Sequence, residues 1–182
     1  LEAAVADDRL GRNPLAGVKP PKVDRRQMRA LTHEEVATLA QEVGPRHRAF
    51  VLVAAYCGLR AGELRALRRS NVDLLRRTMA ITEQLSDQAG GGFAVVPLKT
   101  SSSRRSVALP GVVMQALDEH LGAFVGPEAD SLLFTSVDGS PLRLENFRRR
   151  VWEPACRRAG IGHLRIHDLR HTCASLAIAA GA

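Results

Sequence analysis

A histidine and an arginine stand three residues apart near the end of the chain, where an apolar stretch typical of a helix begins. They are His167 and Arg170, within the segment His167-Asp168-Leu169-Arg170-His171-Thr172. Residues three apart share one face of a helix. The free N–H groups and positive dipole end of a first helical turn favour an anion. An imidazole, a guanidinium and a helix N-terminus directed at one point therefore predict a phosphate site.

A second arginine, Arg60, follows a glycine that ends a strongly apolar helix. Its backbone is thereby anchored while its head can reach a cleft, and guanidinium groups bind phosphate oxygens through two parallel hydrogen bonds. Glu63, one helical turn later, is suited to orient Arg60. The structural alternative is an ordinary Arg60–Glu63 ion pair, which by itself contributes little.

Three further cations lie in a serine-rich segment between two strand-like runs. Lys99 is suited to donate a proton to a leaving alkoxide or to contact a phosphate. The alternative is a solvated turn lysine. Arg104 and Arg105 are candidates for contact with a nucleic-acid backbone, and their alternative role is to keep an exposed hairpin soluble.

The spacing of His167 and His171 also fits half of a metal site. A catalytic zinc ion needs a third ligand, for which His163 and Asp168 are the only near candidates, and the sequence contains no His-Glu-x-x-His motif. We therefore predict no metal and interpret His171 as a core or supporting histidine. Tyr56, the only tyrosine, lies within an apolar helix and is interpreted as a core residue rather than a nucleophile.

The elements that would position these residues are mostly helices. A capping box of Thr32 and Glu35 begins one helix, an apolar helix covers residues 46–57, and the last helix begins near His167. Between them, residues 79–81, 93–96 and 107–109 predict three strands of an antiparallel sheet, with residues 90–92 joining the first two and a basic hairpin tip joining the last two. The pattern predicts an α+β fold.

The second half of the chain continues the helical pattern. Val113 and Leu117 share one helical face, and Phe147 and Ala155 belong to a further helix that Pro154 is expected to kink or split. Residues 1–10 are typical of the tail of a helix, and a Pro-rich basic connector over residues 11–22 is typical of a linker.

The composition suits a soluble globular protein with a polyanionic partner. The 182 residues include 26 Lys and Arg against 19 Asp and Glu, a net charge of +7, which favours nucleic acid. The alternative is a charge that serves solubility alone. Cys57, Cys156 and Cys173 are predicted to be buried thiols in a reducing compartment. The most apolar run, residues 50–59, is shorter than the roughly 20 residues that span a bilayer.

Taken in order, three motifs resemble the catalytic domain of the tyrosine recombinases, the phage integrase family. They are Gly58-Leu59-Arg60-Ala61-Gly62-Glu63-Leu64, then Lys99-Thr100 in a β-hairpin, then His167-Asp168-Leu169-Arg170-His171-Thr172. The resemblance implies a mostly helical α+β catalytic domain with a small antiparallel three-stranded sheet. Residues 1–31 resemble the end of the family's core-binding domain and the interdomain linker, and residues 32–182 resemble the catalytic domain.

The resemblance also implies a mechanism of site-specific recombination and integration. A tyrosine attacks a DNA phosphodiester, and a 3′-phosphotyrosyl intermediate conserves the bond energy without cofactor or metal. Carried onto this chain, Arg60 and Arg170 hold the non-bridging oxygens, and Lys99 is the general acid for the 5′-oxygen. His167 assists proton transfer and binds the phosphate, and Glu63 supports Arg60. Positioned cations suit this reaction because phosphoryl transfer spreads negative charge over several oxygens.

The family's nucleophilic tyrosine and its second His or Trp lie beyond the His-x-x-Arg motif, and the sequence stops at Ala182. We therefore expect this chain, as the C-terminally incomplete part of a longer enzyme, to bind DNA without forming the covalent intermediate. The resemblance further implies double-stranded DNA as the partner and a tetrameric synapse of the full-length protein. It implies a cytoplasmic, nucleoid-associated location for a bacterial or phage protein, with no membrane and no small-molecule substrate.

Two other functions stay open on the sequence. One is a non-catalytic DNA-binding remnant or regulator, which has no need for the cationic set of Arg60, Lys99, His167 and Arg170. The other is a metal-dependent nuclease, against which the lack of a clustered carboxylate pair argues.

Overall fold

The structure of the chain, a computed structural model, describes residues 1–18, 29–88, 91–98 and 104–181. The helices are α1 (Glu2–Ala6), α2 (His33–Glu42), α3 (Pro45–Cys57), α4 (Ala61–Ala66), α5 (Gly111–Phe124), α6 (Leu144–Phe147), α7 (Glu153–Arg158) and α8 (Asp168–Ala179). The strands are β1 (Val72–Asp73), β2 (Thr78–Ile81), β3 (Glu83–Asp87), β4 (Phe93–Pro97) and β5 (Arg105–Ala108). A 3-10 turn (Arg69–Asn71) precedes β1, and a π-helical turn (Arg148–Trp152) joins α6 to α7. The predicted mostly helical α+β fold is confirmed.

Helix α3 forms the centre of the core. Eight of its thirteen residues are buried, because its apolar side chains surround the whole helix rather than one face. Helices α2, α5 and α8 pack around it. Phe50 meets Phe134 and Phe147 edge-on, with ring centroids 5.3 Å and 5.1 Å apart. Each such buried ring contributes about 2 kcal/mol through removal of apolar surface from water.

Helix α2 begins with the predicted capping box. The Thr32 hydroxyl accepts a hydrogen bond from the Glu35 N–H at 3.2 Å, and the Glu35 carboxylate accepts one from the Thr32 N–H at 2.9 Å. The helix buries Val36 and Leu39 toward the core. Pro45 then begins α3, in a position where its missing N–H would have had no helical partner.

The strands differ from the prediction in their pairing. Strands β1, β2 and β5 form one antiparallel sheet, in which Met79 faces Val107. The strand expected at residues 93–96 is β4, and it pairs instead with β3 in a separate hairpin, with Leu85 facing Val95. Strand β1 has two residues and β3 is largely polar, so neither carries an alternating apolar pattern. The glycine segment therefore connects β3 to β4, with residues 89 and 90 outside the described part of the chain.

The β3–β4 hairpin is held against α4 by charge and by close backbone approach. Arg65 is 2% exposed, donates to Asp87 on β3 with Nη2 2.6 Å from Oδ1, and lies 5.3 Å from the Phe93 ring centre. A Cβ at Gly62 would lie 3.0 Å from the Leu85 carbonyl oxygen. A glycine at this place in α4 thus allows the hairpin to reach the helix backbone.

The helix expected between Phe147 and Ala155 is interrupted. The π-helical turn ends at Trp152, two residues before Pro154, whose ring nitrogen cannot donate to the preceding turn. Trp152 is fully buried in this turn, and its Nε1 donates to the Leu164 carbonyl at 2.7 Å. The interruption that Pro154 predicts is therefore accommodated by a wider turn and fixed by a buried tryptophan.

The cysteine and tyrosine side chains, all predicted to be buried, are buried to different degrees. All three cysteines are free thiols, but Cys173 is half-buried. Burial raises the pKa of the Cys57 thiol to about 12, with the nearby Cys173 adding to the effect. Tyr56 packs against the core with part of its ring exposed, and its hydroxyl lies 3.0 Å from His33 Nδ1.

At the N-terminus, the expected helix tail contains α1, while residues 19–28 of the Pro-rich segment lie outside the described residues. Among the described helices, none combines the length and apolar character that crossing a bilayer requires.

The left-handed end of α3 gives a test of this packing. Gly58 has φ +63°, and a Cβ there would lie 3.2 Å from Cys173 Sγ. We expect Gly58→Ala to lower the free energy of unfolding by about 1–2 kcal/mol, because an L side chain is strained in this conformation. Gly122→Ala is the matched control: a Cβ there meets no heavy atom within 4 Å, and alanine should raise the helix's stability by up to about 1 kcal/mol. Urea unfolding measures both, and equal effects would contradict the strain at Gly58.

Candidate active site

The loop that follows α3 lies against the first turns of α8. Arg170 projects from α8, and its Nη1 donates a hydrogen bond to the carbonyl oxygen of Gly58, 112 positions earlier in the chain. Gly58 is two residues before Arg60. The fold therefore brings Arg170 to the short loop that carries Arg60, and their binding of one anion stays a prediction.

Arg60 is held by its neighbour Glu63 in two ways. The Arg60 backbone N–H donates to Glu63 Oε2 at 2.8 Å, which caps the start of α4, and its Nη1 donates to Oε1 at 3.1 Å. The Glu63 side chain is 0% exposed while that of Arg60 is 55% exposed. The arginine is thus anchored at one edge by a buried carboxylate and keeps much of its guanidinium open to solvent.

A second arginine binds the same carboxylate from the sheet. Arg105, the first residue of β5, donates through Nη1 to Glu63 Oε1 at 3.1 Å and through Nη2 to Oε2 at 2.9 Å. Arg105 was predicted as a contact for the nucleic-acid backbone, and its bond to Glu63 was not foreseen. No sequence signal points to it, because the two residues are 42 positions apart and the strand pairing alone brings them together.

These four hydrogen bonds set the charge state of Glu63. Burial by itself raises the pKa of a carboxyl group. In Glu63 the hydrogen bonds from Arg105 and from the Arg60 backbone, together with the charge of Arg105, outweigh burial and hold its pKa below the ordinary value. The group is therefore an anion at neutral pH, and it leaves one net positive charge on the trio of Arg60, Glu63 and Arg105.

The two histidines lie at the beginning of α8. His167 precedes the first helical residue, and its exposed ring meets that of His171 edge-on, with centroids 5.6 Å apart. His171 is half-buried. Both rings therefore stand on the same end of α8 that carries Arg170, one turn along the helix.

Asp168 fixes the loop that enters α8. Its carboxylate accepts from the Arg165 backbone N–H at 2.9 Å and from the Arg165 guanidinium at 2.8 Å. Burial favours the neutral acid, but these bonds from Arg165 hold the pKa of Asp168 below its ordinary value. Sequence reasoning considered Asp168 only as a metal ligand; the three-residue spacing from Arg165 before a helix is the signal that indicates this brace.

The hairpin cations are only partly described. Lys99 lies outside the described residues, so its position relative to Arg60 stays a prediction. Arg104 is exposed and directly precedes β5. Within the described part of the chain, no three His, Cys, Asp or Glu side chains gather in a way that could hold a metal ion.

The arrangement is suited to bind an anion whose charge is spread over several oxygens. The Arg170 guanidinium bonds the loop from which Arg60 projects, and His167 stands at the N-terminus of α8, three residues before Arg170. Cations held in place before a reaction stabilise developing negative charge without reorganising. These side chains are therefore suited to bind an anion such as a phosphate group.

Replacing the buried carboxylate of Glu63 tests its contribution to stability. We expect Glu63→Gln to lower the free energy of unfolding by about 2 kcal/mol or more, because two arginines lose their shared anion inside the protein. Glu119→Gln is the control, since Glu119 forms an exposed 3.3 Å pair with Arg48 and should cost less than about 1 kcal/mol.

Wild type and Glu63→Gln together also test how the stability depends on pH. Because the pKa of Glu63 is lowered by folding, its contribution is complete above the unfolded pKa and is lost as the pH falls through the folded pKa. Urea unfolding at neutral pH and at about pH 3 should therefore show the gap between wild type and Glu63→Gln closing in acid. A gap that does not change with pH would contradict the ionised state.

Comparison with known proteins identifies related sequences over the whole chain. The model of the phage integrase family matches residues 29–182. The prophage phiRv2 integrase of Mycobacterium tuberculosis is 34% identical over 185 residues, covering 100% of this chain and 49% of the relative. The integrase of Mycobacterium phage D29 is 33% identical over 187 residues, with 100% and 49% covered. The chain spans about half the length of the curated relatives that it matches.

Solved structures share the fold. The Tn1549 transposon integrase in complex with circular intermediate DNA matches with a TM-score of 0.81 at 21% identity, covering 98% of this chain and 64% of that one. The XerA recombinase matches with a TM-score of 0.66 at 24% identity, covering 100% and 60%. Since the family model extends over the α3–α4 loop, the sheet and α8, the chain belongs to the phage integrase family.

Proposed function

We propose that this chain is the catalytic region of a site-specific DNA recombinase. The whole protein breaks and rejoins DNA strands through a 3′-phosphotyrosyl intermediate, and its nucleophilic tyrosine comes from outside residues 1–182. In this proposal residues 1–31 are the end of a core-binding domain with its linker, and residues 32–182 belong to the catalytic domain. Tyr56 is a structural residue paired with His33.

The observation that carries the proposal is the contact between Arg170 and the loop that leads to Arg60. This contact joins Arg170, in the first turn of α8, to the loop that carries Arg60. Two cations on neighbouring elements beside a helix N-terminus suit a transferring phosphoryl group. Membership of the integrase family supports the same chemistry.

Each side chain has a separate role in the proposed reaction. Arg60 and Arg170 hold the non-bridging oxygens of the scissile phosphate, and His167 binds the phosphate and assists proton transfer. Lys99 protonates the departing 5′-oxygen. Glu63 supports Arg60, and His171 supports His167 through its edge-on ring contact.

The partner is double-stranded DNA, which the net charge of +7 supports. The relatives are integrases, and the Tn1549 integrase structure is a DNA complex. We propose that the whole protein acts as a tetrameric synapse on DNA in the cytoplasm of a bacterium. No cofactor, metal or small-molecule substrate takes part.

The alternative is a DNA-binding module without chemistry. Such a module needs a basic surface but has no need for Arg170 to bond the loop that carries Arg60. Strand cleavage by the whole protein distinguishes the two: binding to a cognate site without any covalent adduct would favour the module.

Arg170 is the first residue to test. In the whole protein, Arg170→Ala should lower the rate of cleavage of a nicked suicide substrate by about 10³-fold or more, because an interaction made with the transition state is lost. DNA affinity should fall only modestly. Arg76→Ala is the control, since Arg76 is an exposed turn residue paired with Asp73, and it should cleave like wild type. A large loss of affinity with the cleavage rate retained would exclude this role for Arg170.

Arg104 should contribute to binding alone. We expect Arg104→Ala to weaken DNA binding and to reduce the slope of log affinity against log salt by about 1, as the loss of one phosphate contact predicts. Titrations of a labelled duplex at several salt concentrations measure the slope. An unchanged slope would remove Arg104 from the interface.

A further inference from the structure

We propose that Arg105 is a positioning residue for Arg60, acting through the buried carboxylate of Glu63. The inference rests on the proposed function in one respect, the phosphate that Arg60 binds. It replaces the sequence-based expectation that Arg105 contacts the DNA backbone with a role inside the protein.

The hydrogen bonds on Glu63 are divided unequally between the two arginines. Arg105 uses two guanidinium nitrogens, one on each carboxylate oxygen, whereas the Arg60 side chain uses only Nη1. A bidentate pair of this kind is the stronger and more directional of the two. Arg105 therefore occupies the edge of the carboxylate that Arg60 would otherwise take, and the rest of the Arg60 guanidinium stays available for a ligand.

The balance of charge leads to the same conclusion. An isolated Arg60–Glu63 pair is neutral, so its attraction for a phosphate would be largely cancelled at short range. With Arg105 bound, the trio carries one net positive charge. The exposed fractions agree with this division of labour, since the Arg105 side chain is 29% exposed and that of Arg60 is 55% exposed. The more accessible guanidinium is the one left to meet the substrate.

The sheet makes Arg105 a rigid support. Arg105 faces Ile81 of β2 in the antiparallel register, and Ile81 is buried. The backbone of Arg105 is therefore fixed by the strand pairing, whereas the backbone of Arg60 lies between two helices. The ion pair from Arg105 to Glu63 joins the loop before α4 to the sheet of β1, β2 and β5.

The test separates positioning from direct DNA contact by using neighbouring arginines in the whole protein. At saturating suicide substrate, we expect Arg105→Gln to lower the cleavage rate by about 100-fold while the salt slope of DNA binding stays at the wild-type value. Arg104→Gln should instead reduce that slope. Arg76→Gln is the control for an exposed arginine and should match wild type in both measurements. A slope reduced by Arg105→Gln, with the cleavage rate retained, would overturn the proposal in favour of a backbone contact.

A double-mutant cycle tests whether Arg105 acts through Glu63. In the Glu63→Gln background, Arg105→Gln should lower the cleavage rate by only a small further factor, because a neutral amide has already replaced the shared carboxylate. Effects that multiply independently would contradict the proposed route. Arg105→Lys guards against a failure to fold, since it keeps the charge without the two-point geometry, and it should fold like wild type and still cleave more slowly.

A measurement on this chain alone distinguishes failure of the inference from failure of the proposed function. Phenylglyoxal modifies accessible guanidinium groups, and peptide mapping reports the reaction of each arginine. In the Arg105→Gln variant, the Arg60 guanidinium should bond both carboxylate oxygens of Glu63 and react more slowly with phenylglyoxal. In the Arg105→Lys variant, the reactivity of Arg60 should fall less. Unchanged reactivity of Arg60 would overturn the inference, whereas a whole protein that binds DNA but never cleaves it would overturn only the proposed function.

Discussion

A single buried carboxylate, Glu63, connects the parts of this fold on which the candidate site depends. It caps α4, anchors Arg60 and binds Arg105 at the start of β5. An unpaired charge in this position would be strongly unfavourable, so the ionised carboxylate of Glu63 depends on the hydrogen bonds from both arginines. The helical and sheet parts of the chain are thereby joined at the point where the phosphate is proposed to bind.

Helix α3 supplies the opposite constraint. Because it is apolar on all sides, it is surrounded by α2, α5 and α8 and has one place in the fold. Its left-handed end at Gly58 turns the chain sharply beneath α8, and Arg170 closes the turn by bonding the Gly58 carbonyl. The position of the site is thus a consequence of core packing, while its charge comes from the loop and from α8.

The β3–β4 hairpin shows how polar contacts can place a strand pair with few apolar residues. Its hold on α4 comes from the nearly buried Arg65 with Asp87 and from the close approach at Gly62. This is the reason that strand patterning missed β3: the stabilising contacts involve charged side chains and a glycine, which an alternation of apolar residues does not reveal. The same hairpin leads directly into the segment that contains Lys99.

The sequence by itself determined the local elements and the residue types of the site. Thr32 and Glu35 specify a helix start through neighbours in the chain, Gly58 marks the end of an apolar helix, and His167 with Arg170 marks a cationic helix start. These signals are short-range, so they survive without knowledge of the fold. The order of the three motifs was enough to indicate the family.

Only the tertiary structure decided which groups the cations bind. The pairing of β2 with β5 brings Arg105 to Glu63 across 42 positions, and the packing of α8 on α3 brings Arg170 to Gly58 across 112 positions. Such contacts depend on strand register and helix packing, which are cooperative properties of the whole core. For this reason Arg105, which the sequence predicts to be a surface cation, bonds the buried carboxylate of Glu63.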